Sequence, residues 1–311
     1  MIALRWFLPG SVAAVAMSVS AQAAVLIPVP AVPESTVTTV FGINDLYQIA
    51  GSYVGTQDGI EHGFFGTLDG NYLSFDAGNG GTEARAIANN GDIVGFANSQ
   101  SGVTSDQPVF EMFDNGKIRT LDGIFGRAQG IENLKGRFAG TRWDFNNHQA
   151  VAFVGRRGKY MHDVRIPEVH QASEANGINS AGVVVGDYFR PPTHGFIGSG
   201  NKLQTVDYPS DDAAGTAMEG INDSGMAVGQ WVDSGGNTHS FLIEIASNIF
   251  TDINVTGATN VYAWNINNHG AVAVSSDAGS FVWCKKARQC PAGGAAIAAP
   301  ERRGKSGPLL R

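Results

Sequence analysis

A six-fold internal repeat limits this chain more than anything else it contains. Gly42-Ile43-Asn44, Ala86-Ile87-Ala88, Gly130-Ile131-Glu132, Gly177-Ile178-Asn179, Gly220-Ile221-Asn222 and Asn265-Ile266-Asn267 each open a similar stretch, and the isoleucines recur every 43 to 47 residues. A unit of that length is one supersecondary element that cannot bury its own apolar faces, so the units must stack. The pattern is cleanest over residues 217–255. Ala217 to Ile221, Met226 to Trp231, His239 to Ile243 and Ile249 to Ile253 are short strand candidates, separated by Asn222-Asp223-Ser224-Gly225, a polar loop from Val232 to Thr238, and Ala246-Ser247-Asn248. Four short strands in about 45 residues make one blade of a β-propeller. The first turn recurs as Asn89-Asn90-Gly91-Asp92, Asn179-Ser180-Ala181-Gly182 and Asn267-Asn268-His269-Gly270, residue types that accept the positive φ of tight hairpins.

Forty-one glycines and only 16% charged residues suit such an all-β chain. Residues 1–23 read as a signal peptide: Arg5 supplies the positive end, Trp6 to Val19 are mostly apolar, and Ala21-Gln22-Ala23 is a small-residue cleavage site. Pro9-Gly10 argues against a buried helix there. The mature chain is expected to begin near Ala24, secreted or periplasmic. No other run reaches the eighteen or so apolar residues of a bilayer span, so no transmembrane anchor is expected. The negative balance behind the net charge of −7 belongs to the repeats, because Lys285, Lys286, Arg288, Arg302, Arg303, Lys305 and Arg311 face only Glu301 beyond Cys284. An acidic body speaks against nucleic acid. The domain reading is a signal peptide over 1–23, the repeats over 24–290, and a disordered basic tail over 291–311. Cys284 and Cys290, an even pair in an oxidising compartment, are expected to form a disulfide; no spacing suggests zinc.

Within the repeats the chain resembles the bacterial HAF-repeat extracellular proteins, whose core reads G-I-N-x-x-G-x-x-V-G followed by a His-small-Phe triplet. Gly177 to Gly186 with His194-Gly195-Phe196, and Gly220 to Gly229 with His239-Ser240-Phe241, match both parts, and the first repeat has His62-Gly63-Phe64. In the second and third repeats Gln107-Pro108-Val109 and Ala150-Val151-Ala152 are read as replacing the triplet. The resemblance spans nearly all of residues 42–284 and implies an exported, propeller-like fold. It lends no catalytic residue.

The sixth repeat lacks a fourth strand after Ser280-Phe281-Val282-Trp283, while Val25 to Pro30 precede Ile43 as Val206 to Pro209 precede Ile221. The fold expected is a six-bladed β-propeller of four-stranded blades closed by this N-terminal strand, whose prolines suit an edge. The alternatives are closure by Ala295-Ala296-Ile297 or an open solenoid.

In an up-and-down meander the short turns emerge on one face and the longer, more variable loops on the other, where binding usually lives. An aromatic is expected near that rim at Tyr53, Phe96, Trp143, Tyr188 and Trp231, while Glu83, Arg85, Arg127, Gln129, Glu174, Asn176, Glu219, Tyr262 and Trp264 begin the innermost strands. Tyr53, Arg85, Trp143, Tyr188, Glu219, Trp231, Tyr262 and Trp264 form the expected binding set, suited to a sugar or a peptide. The opposing reading packs the aromatics between blades and satisfies the polar residues among themselves. The repeated His62, His194 and His239, and the aspartates Asp76, Asp122, Asp163, Asp207 and Asp252, are read as architectural, since catalysis needs unlike groups brought together once.

No nucleophile elbow, zinc-protease or nucleotide-loop motif occurs. Asp211-Asp212 and Asn222-Asp223 lack the ligand count of a calcium loop. The expectation is a non-catalytic binding module for carbohydrate or a cell-envelope polymer, monomeric, with no cofactor and no metal. A glycan-acting hydrolase or lyase using Glu174 or Glu219, and a structural envelope protein, are the alternatives.

Overall fold

Each repeat's short runs of β-formers, broken by Asn, Asp and Gly, become a four-stranded antiparallel meander in the computed structural model, which describes residues 24–78, 80–98, 107–166, 172–200, 202–291 and 309–310. After β1 (Val25–Pro28), the first unit is β2 (Ser35–Ile43), β3 (Gln48–Gly55), β4 (Glu61–Thr67) and β5 (Tyr72–Phe75). The second is β6 (Thr82–Ile87), β7 (Ile93–Ala97), β8 (Pro108–Met112) and the start of β9 (Ile118–Ile131). β9 runs on as the first strand of the third unit, with β10 (Arg137–Asp144), β11 (Gln149–Arg156) and β12 (Tyr160–Asp163). The fourth comprises β13 (Ser173–Ile178), β14 (Val184–Phe189), β15 (Thr193–Ser199) and β16 (Lys202–Val206). The fifth comprises β17 (Gly215–Ile221), β18 (Met226–Val232), β19 (Thr238–Glu244) and β20 (Ile249–Ile253). β21 (Val261–Ile266), β22 (Ala271–Ser276) and β23 (Gly279–Cys284) make the last, with β1 paired antiparallel on β23 in the place of a fourth strand.

The signal-peptide reading of residues 1–23 lies outside the described residues, as does most of the basic tail. Of that tail, Leu309–Leu310 form β24 and pair with Leu73 and Tyr72, so this part of the segment expected to be disordered is a strand. Cys284 and Cys290 are bonded. No helix among the described residues is long and apolar enough to cross a membrane.

The core lies between units. Six apolar clusters each join side chains of two consecutive meanders, as Phe241 and Met218 join Val185 and Ile197. One of them joins the last unit to the first, with Ala273, Val282 and Cys284 against Val40, Ile49 and Phe64. This is sheet-on-sheet packing, the burial that one repeat cannot supply alone.

The Gly-Ile-Asn phrase now has a physical reason at each position. A methyl group on Gly177 would lie 2.8 Å from the Glu219 carbonyl oxygen of the next unit, and one on Gly42 would lie 2.8 Å from Ala86 Cα, so innermost strands touch backbone to backbone. The six isoleucines are buried. The asparagine serves two units: Asn222 Oδ1 accepts the N–H groups of Ser224 and Met226 in its own turn, while its amide donates to Asn267 O at 2.9 Å. Asn44 likewise donates to Ala88 O, Asn179 to Asn222 O, and Asn267 to Asn44 O at 3.0 Å. The next residue makes a second circuit, in which the N–H groups of Asp45, Asn89, Ser180, Asp223 and Asn268 donate to Asn89, Asn133, Asp223, Asn268 and Asp45 side chains. Asp45 Oδ2 accepts amide hydrogens from both Asn89 and Asn268. At the short-turn end of the axis these polar groups bond one another around a pocket of about 30 Å³, room for little more than water.

Candidate functional site

The His-small-Phe triplet is structural. Phe64, Phe196 and Phe241 are fully buried, each opposite a strand-two glycine. The histidines stack on the aromatics directly across the ladder: His62 on Tyr53, His194 on Tyr188, and His239 on Trp231, at 4.3–5.4 Å between ring centres. His62 Nδ1 and His194 Nδ1 reach Asp76 and Asp207 on the outer strand at 2.8 and 2.9 Å, while His239 Nε2 reaches the loop carboxylate Asp233. These contacts tie strand three to strand two in each unit, and in the first and fourth units to the end of strand four as well, through Asp76 and Asp207.

Register corrects two sequence alignments. Gly95 faces Phe110 and Gly140 faces Phe153, so the true equivalents of the triplet are Pro108-Val109-Phe110 and Val151-Ala152-Phe153, one residue later than expected. Both keep the phenylalanine. Arg142, not Trp143, therefore occupies the strand-two aromatic position, and it makes a bidentate pair with Asp163 at 2.8 Å on both arms. Phe96 lies one residue early and is buried.

Midway along the innermost strands, between the long loops and the short turns, the axis is lined by a bulge repeated in every unit. The ladder skips Phe41, Arg85, Gln129, Asn176, Glu219 and Trp264, each the residue just before the motif glycine position. An extra residue in one strand re-aims its side chain. The strand-two glycine permits it: a methyl on Gly186 would sit 1.9 Å from Glu174 O. The bulge residues meet around the axis. The Arg85 guanidinium lies over Phe41 at 4.1 Å and over Trp264 at 4.6 Å, and donates to Gln129 Oε1 and to Glu83 at 3.1 Å each. Gln129 donates to Asn176 Oδ1 and to Glu174 at 3.4 Å, and Asn176 donates to Asp187 at 3.1 Å. Tyr262 stacks on Trp264 at 5.7 Å.

This mouth is poor in cations for its acids. Burial pushes Glu219 up to about 7, with Arg85 pulling the other way and Glu174 adding to the rise. Burial raises Asp187 as well, reinforced by Glu174 and Glu219. Glu61, beside Glu83 and fixed by Ser52 and Asn98, is raised by burial first. Burial thus favours the neutral form of the Glu219 and Asp187 carboxyls, which lie near indole, phenol and guanidinium planes. Among the described residues no group of three His, Cys, Asp or Glu is placed to hold a metal ion.

Of the expected binding set, Arg85, Glu219, Tyr262 and Trp264 come together here. Tyr53, Tyr188 and Trp231 lie within their own units under their histidines, and Trp231 is also covered by Tyr208, parallel at 4.7 Å. Trp143 is half-buried on β10 and belongs to neither group. Phe41 and Asp187 were missed as members. Their signal was present for Phe41: the residue before the motif glycine differs in all six repeats while its neighbours stay alike.

No protein-family model matches the chain, and no curated protein matches it. Solved structures that resemble it include a prolyl endopeptidase (12% identity, TM-score 0.48, 80% of this chain), of which the chain spans only 39%. They also include the β-propeller domain of the Trilobed protease from Pyrococcus furiosus (8% identity, TM-score 0.43, 77% of this chain and 79% of that one). A third is the Aleuria aurantia lectin in complex with α-methyl-L-fucoside (11% identity, TM-score 0.48, 84% of this chain and 99% of that one).

Proposed function

We propose that this chain is an exported six-bladed propeller of the HAF-repeat kind, closed by β1, and that it binds carbohydrate or another envelope polymer without turning it over. The bulge ring carries the reading. A stacked Tyr262–Trp264 pair stands beside Arg85, which in turn reaches Gln129, on the axis. Aromatic planes take the apolar face of a sugar ring, and mixed donors and acceptors take its hydroxyls. The opposite end of the axis has its asparagine and aspartate side chains committed to one another, which leaves the long-loop end as the binding face.

The test is retention on a glycan array and on cell-envelope fractions, with wild type beside Trp264→Ala. The expected result is binding that Trp264→Ala weakens by about tenfold or more. No retention by the wild type sinks the reading.

A hydrolase is the second reading, favoured by one observation: Glu219, poised near 7, feels Glu174 across the same mouth. It requires release of new reducing ends from a bound polysaccharide, abolished in Glu219→Gln. The binding-module reading requires none.

A further inference from the structure

The axial mouth widens sideways between the last unit and the first. A cleft of about 600 Å³ lies there, with Tyr262 and Trp264 in its lining, which puts it beside the axial residues that these two side chains touch. Its volume falls within the range of about 300–1,000 Å³ usual for small-molecule sites. One wall is the stretch 36–39 of β2, and the other is Ser275, Ser276 and Asp277 at the end of β22. Ser280 ties the walls together, donating to Thr38 O at 3.0 Å and accepting from Val40 N–H at 3.3 Å.

We infer that this cleft is a subsite for the outer residues of a neutral oligosaccharide whose end enters the axial mouth, an assignment that rests on the carbohydrate reading above. The walls carry the hydroxyls of Thr36, Thr38, Thr39 and Ser276, of which Thr36 donates to Val54 O, Thr38 bonds Val32 N–H and Ser35, and Ser276 donates to Gly279 O, and among the described residues no lysine or arginine lines the cleft. Its one carboxylate is already used: Asp277 accepts the backbone N–H groups of Thr259 and Asn260 at 3.1–3.2 Å. An acidic sugar would therefore meet a carboxylate with no cation, and an amino sugar would find no free anion. The indole N–H of Trp264 is given to Ser275 Oγ at 2.7 Å, with Arg85 over the ring and Tyr262 stacked on it. Half-exposed Tyr262 is thus the aromatic surface offered to the cleft, and its hydroxyl has no hydrogen-bond partner among the described residues.

The experiment is calorimetric titration of the purified protein with mannohexaose, xylohexaose, cellohexaose and, as the acidic probe, hexagalacturonate. Ala31→Trp and Val37→Trp fill the cleft from exposed positions on two sides, so that one remains if the other misfolds; Phe189→Ala, an exposed aromatic elsewhere, is the control. The expected result is that a neutral hexasaccharide binds, that either tryptophan weakens it by about tenfold or more through steric exclusion, and that hexagalacturonate binds no better than the neutral probes. Unchanged affinity in both cleft variants, with loss in Trp264→Ala, overturns the subsite and leaves the axial reading standing. Preference for hexagalacturonate overturns the neutral assignment. Binding of no probe by the wild type overturns the subsite and its parent reading together.

Discussion

The fifth unit keeps every motif residue, and the third has lost the asparagine, the valine and the histidine, yet the two fold alike. Where the fifth has Asn222, the third has Glu132, whose buried carboxylate accepts the N–H groups of Leu134, Lys135 and Arg137 and so holds the turn as the amide would. A carboxylate cannot donate onward. Arg137 does so instead, giving its guanidinium to Ser180 O at 2.8 Å in the next unit, where Asn222 gives its amide to Asn267 O. Where the fifth has Trp231, His239 and Asp233, the third has the Arg142–Asp163 pair. The architecture therefore requires a hydrogen bond of given direction at each place, and more than one side chain can provide it.

The comparison breaks most visibly at a large buried residue that both units keep. Phe241→Ala and Phe153→Ala should each cost about 3–5 kcal/mol, since both rings are fully buried. Chemical denaturation would detect a much smaller loss at Phe153, which would mean that the third unit packs by other means. The substitute link comes next. Arg137→Ala removes the onward donor and strands the Glu132 carboxylate beside it, with an expected loss of about 3 kcal/mol. Asn222→Ala, which loses only neutral hydrogen bonds, should cost about 1–3 kcal/mol. Equal or reversed losses would show that Arg137 does not replace the asparagine.

The smallest effect is in pH. Burial opposes the His62 cation, but Asp76 and Asp58 together hold its pKa above the ordinary histidine value. A group raised on folding contributes stability that is full below its unfolded pKa and is lost as pH rises through the folded one. The hydrogen bond from Arg142 holds Asp163 below the usual carboxylate range against its burial, so that pair loses its contribution only as pH falls through the lowered value. Urea melts between about pH 6 and 8 should therefore show a decline to which the buried acids Glu219, Glu111 and Asp187, all raised by burial, also contribute, so that His62→Gln makes it shallower without removing it and Arg142→Gln leaves it intact. A slope in His62→Gln equal to that of the wild type would remove the histidine from the account.

Much of this was legible beforehand. The period gave the four-stranded units, the turn residues gave their hairpins, and the missing strand after Trp283 pointed to Val25–Pro28, which pair there. The Gly and Asn of the motif also announced themselves, because backbone contact and a two-way amide tolerate few alternatives. The third unit was harder to read. Glu132 with Arg137 looks like decay of the motif until their hydrogen bonds are seen, and the one-residue error over Arg142 and Trp143 arose because an aromatic beside the expected position imitates the pattern.

What the sequence determined alone is everything local in origin: strand length, turn type, the repeat, the disulfide pair. Hydrophobic alternation and positive-φ residues act over a few neighbours and can be read in line. What only the tertiary structure decided is which side chains share the axis. Phe41, Arg85, Gln129, Asn176, Glu219 and Trp264 lie some forty residues apart in pairs, and a bulge turns each out of its ladder toward the others. Alternation along a strand says which residues leave the sheet on the same side. It does not say that the six will meet, because that depends on how the units are stacked.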